Sequence, residues 1–147
     1  MRGKYIQYKP SSIPWLAEIP SHWEERRFKF TVILSNKSNN DGKLRPMLSL
    51  SAYNGIQVKQ YEHESAKRAL EDSQSYSVVN KNNLVVNPMW LMQGGIGVSF
   101  IDIEGIVSPA YRIYNLNSEF QPKFCDYLLR SHYYVEEYNC YIRGLTT

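Results

Sequence analysis

Cysteine is scarce in this chain: Cys125 and Cys140 are the two in 147 residues. A small domain held together by disulfides carries more, so a hydrophobic core must hold this one and both thiols are expected to be reduced. Histidine is almost as rare. None of His22, His63 and His132 has a nucleophile motif beside it, and no Gly-x-Ser-x-Gly elbow occurs. Cys125, His132 and Cys140 have ligand chemistry, but their spacings of seven and eight do not match compact zinc motifs. A P-loop is excluded because no Gly-Lys-Ser/Thr is present. No apolar run approaches membrane-spanning length, and the opening MRGKYIQYKPSS lacks the apolar segment of a signal peptide. The expectation is therefore a cytoplasmic protein with no membrane partner. No catalytic residue, metal ligand or cofactor is assigned to it.

Hydrophobic residues make up 43% of the chain, enough for one core, and the 21% charged fraction with 12 tyrosines argues against disorder. One domain over residues 1–147 is expected. The net charge of +3 is unevenly spread. Residues 1–68 carry 12 Lys and Arg against 6 Asp and Glu, whereas residues 69–147 carry 5 against 8. The first half can face a polyanion, although a dipolar charge pattern is equally common on solvated surfaces.

Along the chain, residues 1–24 form a Pro- and Trp-rich arm expected to pack by its aromatics rather than by a sheet ladder, because proline removes backbone donors. Asn36–Lys43 is rich in Asn, Ser, Asp and Gly and predicts a loop. In RPMLSLSAY, Leu48, Leu50 and Ala52 alternate with Ser49 and Ser51, a half-buried strand ended by the turn signal Asn54-Gly55. Residues 62–72 suit a short surface helix, with Glu64 four residues before Arg68. SVV, NLVV, GVSFIDI and AYRIYNL predict short strands. Phe124, Leu128, Ser131, Val135 and Tyr138 recur at helical spacing, with Ser118 and Gln121 as a capping box and Pro122 at the first turn. The fold class expected is α+β: a small, twisted, mostly antiparallel sheet, short helices and a C-terminal amphipathic helix.

Two short motifs invite an enzymatic reading. Gly94-Gly95-Ile96-Gly97 falls short of a dinucleotide fingerprint, since Phe100 stands where the third glycine belongs and a strand follows instead of a helix. A turn between strands is expected there. Asn87-Pro88-Met89-Trp90 resembles the Asn-Pro-Pro-aromatic loop of amino-methylating DNA methyltransferases. Met89 replaces the second proline, and no glycine-rich strand-turn-helix for S-adenosylmethionine lies upstream. The expectation is instead a strand end at Pro88 with Met89 and Trp90 filling a core.

The segment YKPSSIPWLAEIPSHWE resembles the amino-terminal arm of the specificity subunit of type I restriction–modification enzymes, where Trp-Leu-Gly-Glu-Ile-Pro-x-x-Trp recurs. Trp15, Leu16, Glu18, Ile19, Pro20 and Trp23 match, with Ala17 in the glycine's place. Residues 82–116 resemble that family's target-recognition core, with the Gly-x-Val-Ser-Pro-Ala-Tyr signature at Gly105 to Tyr111, and FCDYLLRSHYYVEEY resembles the helix after it. The resemblance implies a non-catalytic module that reads one half of a split site on double-stranded DNA. It also implies partners, a modification subunit that methylates adenine and a restriction subunit that cuts. The spacer helix and second recognition domain of that family are not found here, so an isolated first recognition domain is expected.

Sequence readout needs donors and acceptors aimed at base edges, and phosphate contacts need cations. Arg45, Ser51, Asn54, Lys59, Lys67, Arg68, Gln93 and Arg112 are the candidate DNA-binding residues. Two other classes remain open: a small adenine methyltransferase or nuclease fragment, which would bind S-adenosylmethionine or cut, and a non-DNA interaction domain, which would ignore DNA at low salt.

Overall fold

A computed structural model describes residues 5–43, 46–60 and 73–143, with side chains to residue 140. The chain forms two compact units, Met1–Thr31 and Val32–Thr147.

In the first unit, strands β1 (Tyr8–Pro10) and β2 (Glu18–Pro20) pair antiparallel, Lys9 opposite Ile19. The arm therefore does contain a ladder, contrary to the expectation from its prolines. The reason is register. Ser21 N–H donates to Gln7 O at 3.0 Å and Ser11 N–H to Ala17 O at 3.1 Å, so the hydrogen-bonded rungs are the odd positions of β1. Pro10 and Pro20 occupy the alternate rungs, where no ladder N–H is required. The aromatics contribute as well: the Tyr5 ring lies 6.3 Å from Tyr8, 5.3 Å from His22 and 6.0 Å from Trp23.

Glu25 fastens the loop between these strands. Its carboxylate accepts from the Ser11 hydroxyl, from Ser12 N–H at 3.0 Å and from the Ser12 hydroxyl at 2.6 Å. Those hydrogen bonds, Ser11's first, hold the carboxyl below the ordinary glutamate range. A depressed folded-state pKa means the tie is complete above the unfolded value and is lost as pH falls through the folded one. A carboxyl-detected NMR titration should place the Glu25 midpoint below that of an unperturbed glutamate, and lower than in a Ser11→Ala, Ser12→Ala variant. Equal midpoints would remove Glu25 as the fastener.

The second unit is built on a four-stranded antiparallel sheet in the order β3-β10-β7-β8, comprising Val32–Ser35, Arg112–Leu116, Leu84–Val86 and Ile96–Val98. All three residues of β7 are buried, as they must be if both faces are covered. Leu84, Val86, Ile96 and Val98 point to one face and pack with Cys125 and Leu129. Val85 and Ile113 point to the other and pack with Leu48, Val79 and Val107. The first face is covered by helices α1 (Pro122–Leu129) and α2 (His132–Arg143). The second is covered by the hairpin of β4 (Leu48–Ser51) and β5 (Gly55–Val58) and by the pair β6 (Ser77–Val79) and β9 (Gly105–Val107). This is the α+β class expected, and among the described residues every named strand pair is antiparallel.

The details depart from the sequence reading in three places. GVSFIDI is a strand only through Val98: Ser99 accepts from Asn82 N–H and donates to Asn83 O, beside a turn closed by Asn83 N–H to Asn80 O in which Asn82 has φ of +68°. The C-terminal stripe is two helices, and its buried pair is Cys125 and Leu129, one residue along from Phe124 and Leu128. Pro122 does take the first helical position, but the cap is Gln121 without a side-chain hydrogen bond, so the Ser118 capping box is not formed. The helix expected over 62–72 lies outside the described residues. Among the described residues no helix is long and apolar enough to cross a membrane.

Cys125 and Cys140 are both free. Burial, then the charge of Asp126, pushes the Cys125 thiol up, as suits a small apolar core group. Burial likewise raises Tyr138, whose hydroxyl donates to Leu129 O at 2.9 Å and so ties α2 to the end of α1.

Candidate nucleic-acid interface

Two loops leave the same end of the four-stranded sheet. Arg112 stands opposite Val86, and Val86 opposite Ile96, so the connection 87–95 and the first residue of β10 share that end. The tip of the β4–β5 hairpin lies beside them, since a Cβ on Gly94 would sit 3.4 Å from the Ala52 Cβ.

The hairpin turns as its sequence indicates. Three residues, Ala52 to Asn54, separate the paired Ser51 and Gly55, and Gly55 takes φ of +69°, the left-handed conformation that closes a three-residue loop. Ser51 Oγ accepts from the N–H of Tyr53 at 3.3 Å and of Asn54 at 3.4 Å. The tip is then clamped from the helical layer. Arg130 Nη2 donates to Ala52 O at 3.0 Å and to Tyr53 O at 3.1 Å, while Nη1 meets Asp126 Oδ2 at 3.2 Å. Asp126 Oδ1 in turn accepts from Val98 N–H at 2.8 Å. One guanidinium thus joins the hairpin tip, α1 and the edge strand β8.

Loop 87–95 is closed by its own backbone. Asn87 N–H donates to Gly95 O at 2.8 Å, Gly95 N–H to Trp90 O at 2.8 Å, and Trp90 N–H to Asn87 O at 3.1 Å. The Asn87 amide oxygen accepts from Met89 N–H at 3.2 Å, and Asn139 Nδ2 donates to Met92 O at 3.1 Å. Gly94 has φ of +87°, and a Cβ on Gly95 would lie 2.8 Å from Trp90 O, so both glycines are demanded by the turn. Gly94 and Gly95 thus form the turn expected between strands, while Ile96 and Gly97 already belong to β8.

The fate of Met89 and Trp90 is not the expected one. Pro88 does end β7, yet Met89 is 79% and Trp90 53% exposed, so neither fills the core. Once Asn87 pairs with Gly95, the residues between them are carried out beyond the sheet end. Tyr53 at the hairpin tip is 93% exposed.

Of the candidate DNA-binding residues, Ser51, Asn54, Gln93 and Arg112 are brought to this one end. Asn54, Gln93 and Arg112 are exposed, whereas the Ser51 hydroxyl already serves the turn. Lys59 lies at the open end of the hairpin, where its N–H donates to Met47 O at 2.9 Å. Arg45, Lys67 and Arg68 fall outside the described residues. In the loop Asn36–Lys43, Lys37 pairs with Glu104 at 2.8 Å on the surface, and the buried Asn39 donates to Ser73 Oγ at 3.1 Å. Sequence reasoning missed Tyr53 and Arg130. Tyr53 was signalled by its place just before Asn54-Gly55, and Arg130 by its i,i+4 spacing from Asp126.

No protein-family model, curated protein or solved structure matches the chain.

Proposed function

We propose that the chain is a DNA sequence-recognition module of the type I specificity-subunit kind, acting in the cytoplasm without catalysing a reaction itself. It reads one half of a split site and directs modification and restriction partners to it. The observation that carries this reading is the gathering of Asn54, Gln93 and Arg112, exposed, at one end of a hydrogen-bonded sheet. Asparagine and glutamine amides match the donor and acceptor pair of adenine, and arginine matches the two acceptors of guanine. Hairpin residues 46–60 and loop residues 87–95 contain no Asp or Glu, in a chain that has 14. Such a surface meets phosphates without repulsion.

A second reading, a protein-interaction surface, draws on the exposed Tyr53, Met89 and Trp90, residue types enriched at interface centres. Salt titration of DNA binding separates the two. Alanine at Arg45, Lys67 or Arg68 should weaken binding similarly across sequences and lower the salt slope by about 0.9 for each phosphate no longer neutralised, whereas Lys59→Ala, at the open end of the hairpin, should change neither. Unchanged affinity and slope in the Arg45, Lys67 and Arg68 variants would take these cations off the DNA face, and indifference of the parent chain to DNA at low salt would favour the protein-interaction reading.

A further inference from the structure

We infer that Pro88, Met89 and Trp90 form a wedge that enters the base stack of a DNA duplex and opens one step, beside the groups that read its edges. This rests on the DNA-recognition reading above and adds to it how the duplex is held.

The first support is exposure without freedom. An apolar loop that can fold back onto its protein hides such side chains, but this one is locked by the Asn87–Gly95 and Gly95–Trp90 hydrogen bonds and by the Asn87 side chain under Met89. The Trp90 backbone lies so close to Gly95 that a Cβ there would collide with it, which leaves the loop no slack on that side. Two large apolar side chains are therefore presented from a fixed backbone, and the backbone's share of the ordering cost is met before the partner arrives.

The second support is chemical. Loop 87–95 has no charged residue, and the neighbouring hairpin tip is likewise uncharged through Gln57. The two loops carry amides and no carboxylate, and Arg112 stands at the same end of the sheet. A partner that is anionic outside and apolar between its stacked rings suits that combination. Proline and methionine are residue types that architectural proteins drive between base steps, and tryptophan stacks on an exposed base face.

The test uses the whole chain and duplexes it enriches from a randomised pool, with 2-aminopurine placed at successive positions. Wild-type protein should brighten the probe at one step, since unstacking relieves its quenching. The Met89→Ala, Trp90→Ala double variant should bind roughly ten-fold or more weakly, lose the brightening, and keep the wild-type salt slope because its cations are untouched. Its melting curve should match wild type. Should it not, Met89→Asp, which places a charge at an exposed position, supplies the same comparison and should also abolish the signal. A wild-type complex that brightens at no step, or a double variant that binds and brightens as wild type does, would overturn the wedge while leaving DNA recognition standing. Failure of the wild-type chain to bind any duplex would overturn both. Loss of self-association in the double variant with DNA binding unchanged would make the loop a protein interface and overturn the wedge.

Discussion

Leu84→Ala is expected to lower the free energy of unfolding by about 2–5 kcal/mol. Leu84 is wholly buried on β7, a strand flanked by β10 and β8, and it packs in the cluster that includes Cys125 and Leu129 of α1. Removing its isobutyl group leaves a cavity between sheet and helix that neither layer can easily collapse into. Trp90→Ala makes the useful contrast. It removes a larger apolar group from an exposed loop and should cost at most about 1 kcal/mol. Chemical denaturation of both variants checks the pair. A Trp90 variant less stable than the Leu84 variant would mean that the loop, rather than β7, lies in the core.

Arg130→Met should have the largest effect on the candidate interface. Its guanidinium makes hydrogen bonds to Asp126, Ala52 O and Tyr53 O, and both side chains of the ion pair are mostly buried. Methionine keeps much of the stem and removes every donor, leaving two carbonyls and a carboxylate short of a partner, at a cost of about 1–3 kcal/mol. Some binding should be lost as well. Asn54 depends on the tip being held, so DNA affinity should fall by about ten-fold or more, a binding loss of about 1.4 kcal/mol. Arg130→Lys retains the charge but not the fork, and should fall between wild type and Met. Hydrogen exchange at the tip amides, measured beside binding, separates loosening from unfolding. Protection unchanged in Arg130→Met would show that the hairpin holds itself.

The hairpin was legible because two signals agree over the same residues: the alternation through Leu48 and Leu50, and Asn54-Gly55 at the turn. NLVV was legible as a strand from a short β-branched run bounded by Asn83 and by Asn87-Pro88. The helical register was not. Phe124 with Leu128 and Cys125 with Leu129 satisfy the same spacing, and the choice between them is made by contacts remote in sequence, above all Asp126 on Val98 N–H. The break after Leu129 carries no proline or glycine, so it too is set by tertiary contacts. In the arm, the position of proline in the rungs matters more than its presence, and composition does not reveal that position. Met89 and Trp90 show a further limit. Hydropathy reports what burial would gain, and it is silent on whether the backbone can deliver the residue to the core.

For the candidate interface, residue types were legible and their grouping was not. Asn54, Gln93 and Arg112 are far apart in the chain, and only the antiparallel register of β7, β8 and β10, with the hairpin tip beside Gly94, brings them to one end. Lys59 was equally eligible by type and falls at the other end of its hairpin.

Selection of duplexes from a fully randomised pool by the intact chain, alone and together with a modification subunit and the remaining specificity segments, tests the central claim most directly. The account predicts enrichment of one short, defined sequence, binding that weakens steeply with salt, and loss of preference at particular positions in Asn54→Ala, Gln93→Ala and Arg112→Ala. Methyl transfer should appear only when the modification subunit is present. Recovery of unselected sequence from both arms, or methylation of DNA by the rigorously purified chain alone and its loss in Asn87→Ala, would contradict it.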